Sequence, residues 1–140
     1  MSTYVLDTDI VGFLQQAHPT VLRHLRALAP ADVVVTTIIM MEEDIGGWLP
    51  ACRRARNGAA RVQAYVRLEK TLRFYQRIAW LPFTGAAATL FYQLQGQKLR
   101  LGTHDLCIAA ITLSVGGVLV TRNSKDFQRI PGLSMEDWTL

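Results

Sequence analysis

The sequence predicts an α/β fold: one three-layer α/β/α domain over residues 1–140 with a central parallel sheet. Three observations carry this. Short apolar runs rich in β-branched residues alternate with longer stretches of helical periodicity, as in parallel strands joined by crossover helices. The run Val33–Thr37 is β-branched throughout, as in a strand buried on both faces. The chain has 140 residues, 50% hydrophobic and 19% charged. That suffices for one core without disulfide staples and is too apolar for disorder.

Each element has a local reason. Thr3–Leu6 is a short buried strand with Asp7 at its carboxyl end. Thr8 and Asp9 can cap a helix through about Gln16, with Asp9 the favoured cap. Pro19 suits the first turn of a second helix ending near Leu28. Pro30-Ala31-Asp32 turns the chain into the strand Val33–Thr37. Ile39–Leu49 reads as a helix carrying Glu42, Glu43 and Asp44, weakened by Gly46-Gly47. Asn57-Gly58 is a break. Residues 59–78 form a long basic helix in which Val62, Tyr65, Val66, Leu68, Leu72 and Tyr75 recur at helical spacing. Arg61, Arg67, Lys70, Arg73 and Arg77 take its remaining surface.

Ala79-Trp80-Leu81 is a short strand closed by Pro82, and Thr84 begins a helix to about Gln95. Gly96–Gly102 is a loop carrying Lys98 and Arg100. Thr103-His104-Asp105 opens an apolar helix through Ser114, which Gly116-Gly117 ends. Val118–Thr121 is a strand, Arg122–Phe127 a loop or short helix, and Leu133–Met135 a last short strand.

Composition bounds the function. The longest apolar stretch, Val33–Met41, is nine residues, against about 20 for a membrane span. No basic region precedes the N-terminal apolar residues, so no secretory leader is expected. Cys52 and Cys107 lack metal-ligand spacing, which suits a reduced, cytoplasmic protein. The net charge of +4 is unevenly spread. Residues 45–104 hold ten basic side chains and one acid, a balance of +9, and the remainder holds five basic side chains and ten acids, −5. A basic middle with acidic ends implies an anionic partner beside a separate acidic focus, or else a solvated basic helix face.

Four acids stand next to segments expected in the core: Asp7, Glu43, Asp105 and Asp126. Each has a bland local role. Asp105 can cap its helix, Asp126 can cap or face solvent, and Glu43 is one of three consecutive acids. Asp7 is different, because a carboxylate ending the most buried strand is costly without a partner. In a parallel sheet, ligands gather at the carboxyl ends of strands. Carboxylates converging there need a cation, and Mg²⁺ or Mn²⁺ suits such an oxygen-rich site.

Four blocks resemble one family in order and spacing. They are Tyr4-Val5-Leu6-Asp7-Thr8-Asp9-Ile10; Thr36–Glu43 with Gly47-Trp48-Leu49; Leu101–Ala110; and Leu119–Phe127 with Ile130-Pro131-Gly132-Leu133 and Trp138. Together they resemble PIN-domain ribonucleases, the VapC-type toxins of bacterial toxin–antitoxin pairs. The resemblance implies a PIN fold and a Mg²⁺- or Mn²⁺-dependent endoribonuclease. It also implies a homodimer neutralised by a cognate antitoxin. The family's metal-site acids fall on Asp7, Glu43 and Asp105, with Glu43 keeping a four-residue spacing to Gly47. Glu42 keeps that spacing to Gly46. The fourth position falls on Asn123 or Asp126. Thr121 resembles the family's hydroxyl near the scissile phosphate, and Met40 stands where a Thr is common. On this reading Arg61, Arg67, Arg73, Lys98 and Arg100 are candidates to hold the RNA backbone.

Two other classes fit part of the pattern. Asp7-Thr8-Asp9-Ile10-Val11 matches the nucleophile motif of haloacid-dehalogenase-like phosphatases, with Asp7 as nucleophile. That short motif lacks the late acid pair such enzymes need after a strand. A non-catalytic PIN-like binding module is the other class, kept open by Asn123. His18, His24 and His104 share no ligand spacing, and His104 reads as a helix-entry residue. Cys107, Trp80 and Trp138 read as packing residues, and so does Trp48, whose alternative is an exposed partner surface.

Overall fold

The computed structural model describes residues 1–140. In chain order the elements are β1 (Thr3–Leu6), α1 (Thr8–Gln15), α2 (Pro19–Arg26), β2 (Val33–Thr37), α3 (Ile38–Arg54) and α4 (Gly58–Arg77). There follow β3 (Ala79–Leu81), α5 (Gly85–Gly96), α6 (Thr103–Ser114), β4 (Val118–Val120), α7 (Ser124–Phe127) and β5 (Ser134–Glu136). The five strands form one sheet in the order β3-β2-β1-β4-β5, and every neighbouring pair is parallel.

The alternation of side chains along the strands builds the two apolar layers. Val5, Val35 and Leu119 join a core cluster with Phe91, Leu94, Ile108, Ala109 and Phe127 from α5, α6 and α7. Leu6 and Val120, one residue further along, join Ile10, Val11, Val21 and Trp138 on the opposite face. Period-two alternation thus sends neighbouring residues to opposite sides, and helices cover both. This is the three-layer α/β/α PIN-type architecture the sequence predicts.

The chain order of the strands reverses beside β1, with β2 on one side and β4 on the other. The crevice beyond the carboxyl ends of β1 and β4 is therefore the topological switch point, where parallel sheets bind ligands. The close β1–β4 pairing depends on Gly117. A Cβ there would lie 3.0 Å from the Thr3 carbonyl oxygen and 3.3 Å from a Val5 methyl.

Four expectations need correcting. Asp7, not Asp9, occupies the cap position of α1, while Asp9 lies in the first turn and accepts from the Ile10 N–H at 2.8 Å. Strand β2 is buried only in its second half; Val33 is exposed because it begins at the sheet's open end. Helix α3 runs past Gly46-Gly47 and through Pro50 to Arg54. Proline crowds the carbonyl four residues earlier, and here that residue is Gly46, which has no neighbour within 4 Å of a Cβ position. Packing against α4 supports the remainder. On α4, Val62, Tyr65, Val66 and Leu72 are exposed, and the buried face is Ala64, Thr71 and Tyr75. Tyr75 on that face reaches α3, where its hydroxyl donates to Asp44, and the apolar side chains Val62, Tyr65, Val66 and Leu72 face outward.

Candidate active site

Asp7 closes β1 at the switch point, and Thr121 follows β4 beside it. The Thr121 hydroxyl donates to Asp7 Oδ2 at 2.7 Å, and the Thr8 N–H donates to Oδ1 at 2.7 Å. The Asp7 N–H itself donates to the Val120 carbonyl at 2.9 Å, which extends the β1–β4 ladder to the site. Asp7 is buried. Burial pushes its carboxyl up to about 6, the charges of Asp9 and Asp105 push the same way, and the two hydrogen bonds pull against them. Thr121 is fully buried and also accepts from the Asn123 N–H at 2.9 Å. Its hydroxyl is thus hydrogen-bonded to Asp7 on one side and to the Asn123 backbone on the other.

Glu43 projects from α3 towards the first turn of α1. The Thr8 hydroxyl donates to its Oε2 at 2.9 Å, and Nδ1 of His104 lies 2.6 Å from its Oε1. Glu42, one residue earlier, is more exposed, and its Oε1 stands 3.4 Å from Nε2 of the same histidine. Met40 is fully buried with its sulfur 3.1 Å from the Thr8 hydroxyl. Asp44 accepts from the buried Tyr75 hydroxyl at 2.9 Å, and burial with that acid holds the phenol well above its usual range.

Asp105 lies in the first turn of α6, whose cap position is taken by Gly102 without a side-chain hydrogen bond. Its carboxyl is held above the usual range by burial, then by the charges of Glu43 and Asp126, with His104 opposing. Asp9 is raised by burial as well, and Arg122 counters it. Asp126 is half-exposed in α7 and 3.8 Å from Arg129. Asn123 stands at the start of α7 with no side-chain cap hydrogen bond. The fold thus brings Asp105 within reach of the charges of Glu43 and Asp126, and Asp7 within reach of that of Asp105, although Asp7 and Asp126 are 119 positions apart in the sequence.

No protein-family model matches the chain. It is 30% identical over 142 residues to ribonuclease VapC1 of Haemophilus influenzae strain R2866, covering 97% of this chain and 98% of the relative. It is also 30% identical over 142 residues to the tRNA(fMet)-specific endonuclease VapC of Salmonella typhimurium, covering 99% of each. The chain belongs to the VapC ribonuclease family. Its fold superposes on VapBC-1 from nontypeable Haemophilus influenzae with a TM-score of 0.76, at 28% identity over 99% of both chains.

VapC proteins are PIN-domain, metal-dependent ribonucleases, and the acids here suit that chemistry. The acids at the switch point supply carboxylate oxygens, the donors a hard divalent cation takes. No three His, Cys, Asp or Glu side chains close on one point. Mg²⁺ needs no such cage, since it keeps several waters and uses one or two carboxylates. A cation held by these acids would also offset their repulsion, which adds to burial in raising Asp7 and Asp105.

The VapC relatives give no support to a haloacid-dehalogenase-like phosphatase or a non-catalytic module. The basic candidates divide. Arg67 and Arg73 line a groove together with Lys70 and Arg77, at the far end of α1 from Thr8. Arg61 is turned to the Ala55 carbonyl at 2.8 Å. Lys98 and Arg100 sit in the turn before α6, both with left-handed backbone (φ 53° and 61°), and line none of these hollows.

Sequence reasoning missed His104, Tyr75 and Trp48 as parts of the site. His104 precedes Asp105 directly, and a titratable residue beside a candidate ligand was the available signal. Trp48 follows Gly47 in the second block, which gave the same hint.

Proposed function

We propose that this chain is the toxin of a toxin–antitoxin pair and a hydrolytic endoribonuclease that cuts RNA phosphodiesters with Mg²⁺ or Mn²⁺. The observation that carries the reading is Asp7, a carboxylate buried at the switch point in a VapC fold, facing other acids. Asp7, Glu43 and Asp105 would hold the ion, and Asn123 or Asp126 completes the group. A divalent ion held by these residues would supply water activation and charge neutralisation for phosphodiester hydrolysis.

The protein's own groups do the positioning. Thr121 and Thr8 donate to the two oxygens of Asp7 and hold it ionised and aimed into the crevice. Thr8 and His104 orient the two oxygens of Glu43. Cations on α4 hold the RNA backbone beside the acids and oppose phosphate repulsion from them.

Residues 1–140 act as one PIN domain. The apolar stripe Val62, Tyr65, Val66 and Leu72 on α4 supports a homodimer. A cognate antitoxin neutralises the enzyme, by analogy with the VapBC complexes that share its fold. No helix is long and apolar enough to cross a membrane, and we place the activity in the cytoplasm, where its RNA is.

The test is cleavage of total RNA by the purified protein with EDTA, Mg²⁺ or Mn²⁺. Wild type should cut only with a divalent ion, and Asp7→Asn and Asp105→Asn should lose at least about 100-fold. Cutting that persists in both variants, or in EDTA, would remove the proposed site from the reaction. A phosphoaspartate trapped on Asp7 would instead favour the phosphatase class.

A further inference from the structure

Trp48 sits where two oppositely charged hollows meet. On one side it lines a recess of about 390 Å³ with Thr8, Glu43 and Asp44. On the other it lines an open groove of about 780 Å³ with Gln15, Gln16 and four cations, Arg67, Lys70, Arg73 and Arg77. No acid lines the groove. Thr8 begins α1 and Gln15 ends it, so the two hollows lie at opposite ends of one short helix, about 12 Å long. The four cations recur every three or four residues on α4 over about 15 Å, which makes one charged ladder. Arg73 also pairs with Glu69 at 3.2 Å across open solvent, an exposed contact weak enough to leave its guanidinium free for a phosphate.

The Arg67 guanidinium lies over the Trp48 ring, 5.2 Å from its centroid. A cation–π contact of this kind fixes the guanidinium plane. A fixed guanidinium plane is a surface on which an unpaired base stacks. An aromatic platform beside a cationic groove is how proteins hold single strands.

We infer that single-stranded RNA leaves the acidic recess across Trp48, stacks a base on the Arg67–Trp48 pair, and runs its phosphates along Lys70, Arg73 and Arg77. This rests on the ribonuclease reading and adds to it two positioning residues, Trp48 and Arg67. Charge complementarity also admits an acidic protein segment, but such a segment has no use for the stacked plane at the junction.

The experiment measures anisotropy of a short labelled oligo(U) in EDTA, where no divalent ion supports cleavage, against salt concentration. Arg67→Lys keeps the charge and loses the plane, so affinity should fall about 5- to 50-fold with the salt slope unchanged. Arg67→Ala should weaken binding further and reduce the slope by about 0.7. Trp48→Ala should resemble Arg67→Lys, with Trp48→Phe intermediate. Arg26→Ala on α2 controls for loss of one positive charge. An oligonucleotide abasic throughout should bind wild type and Arg67→Lys alike.

Should Trp48→Ala unfold, Arg67→Lys and Trp48→Phe decide the matter. Equal affinity of wild type, Arg67→Lys and Trp48→Phe for oligo(U) overturns the proposal. So does loss of polyglutamate binding in the variants with RNA binding unchanged, which gives the groove to an acidic protein. Base-dependent binding through Trp48 in a protein that cuts no RNA sustains the platform and sinks the nuclease. Metal-dependent cutting with no effect of these variants does the reverse.

Discussion

Nδ1 of His104 stands 2.6 Å from Oε1 of Glu43, so a residue at the entry of α6 holds a carboxylate of α3 that lies 61 positions away. The Thr8 hydroxyl takes the other oxygen of the same carboxylate. Between them they fix both the direction and the rotation of Glu43. Partners of metal-binding carboxylates commonly act in this way.

His104→Ala should therefore lower activity or metal affinity by about 10- to 100-fold. Stability should change by less than about 1 kcal/mol, because the pair is partly exposed and screened. His104→Asn, which keeps a side-chain donor, should recover part of the loss. Metal titration followed by cleavage kinetics separates the two effects, and an alanine variant with unaltered metal affinity and rate leaves His104 without a positioning role.

Asp7 links the same site to stability. Its carboxyl is pushed up to about 6 from an ordinary 3.8, with burial the largest cause. A raised carboxyl binds more protons folded than unfolded, so stability falls as pH rises through the interval between about 4 and 6. The whole effect is at most roughly 3 kcal/mol, and it is fully expressed above pH 6. Asp7→Asn removes the charge. Its amide can still accept from the Thr8 N–H and donate to the Thr121 hydroxyl oxygen. In EDTA at pH 7.5 the variant should be more stable than wild type by about 1–3 kcal/mol and inactive, with the advantage gone at pH 4. Urea melts at the two pH values provide the check; equal stabilities at pH 7.5 would mean that the buried charge is not costly.

The fold was legible where one local signal decided each element. The strands were visible because short β-branched or apolar runs are bounded by Asp7, Pro30-Ala31-Asp32, Pro82 or Gly116-Gly117, and a parallel sheet follows from their alternation with helices. The length of α3 was not visible, since Gly46-Gly47 and Pro50 weaken a helix locally and only its packing on α4 restores it. The outward face of α4 was misread for a related reason. Helical spacing identifies a stripe, but not whether the neighbour takes it or takes Ala64, Thr71 and Tyr75 instead. Among candidate site residues, the acids stood out because each sits beside core segments. His104 and Tyr75 did not, because their partners Glu43 and Asp44 are distant in sequence.

The exposed stripe on α4 makes its own prediction. Tyr65 is 54% exposed, Val62 65% and Leu72 44%, an unusual concentration of large apolar side chains on one helix. Placing a charge there should split a dimer without touching the core. Wild type should sediment as a dimer at micromolar concentration, and Tyr65→Glu with Leu72→Glu as a monomer with an unchanged circular dichroism spectrum. A wild-type monomer, or a doubly substituted dimer, would show that copies do not meet through this stripe.

Gly117 ties strand packing to catalysis. It precedes β4 in ordinary backbone conformation, so the demand for glycine is steric: a Cβ would meet the Thr3 carbonyl oxygen at 3.0 Å and Val5 at 3.3 Å. Neither atom can rotate away, because the first is backbone within β1 and the second belongs to a fully buried residue. Gly117→Ala must therefore push β1 and β4 apart by some tenths of an ångström, at about 1–3 kcal/mol. Those two strands end at Asp7 and Thr121, whose hydrogen bond is 2.7 Å long, and the strain passes along a ladder only three pairs deep. The variant should melt at a lower temperature. At temperatures where it is still folded, it should also cut RNA more slowly than a variant equally destabilised by a core truncation outside the ends of β1 and β4, such as Leu94→Ala on α5. Thermal melts paired with cleavage rates at fixed metal concentration distinguish the two. Equal rates in the two variants would confine Gly117 to packing.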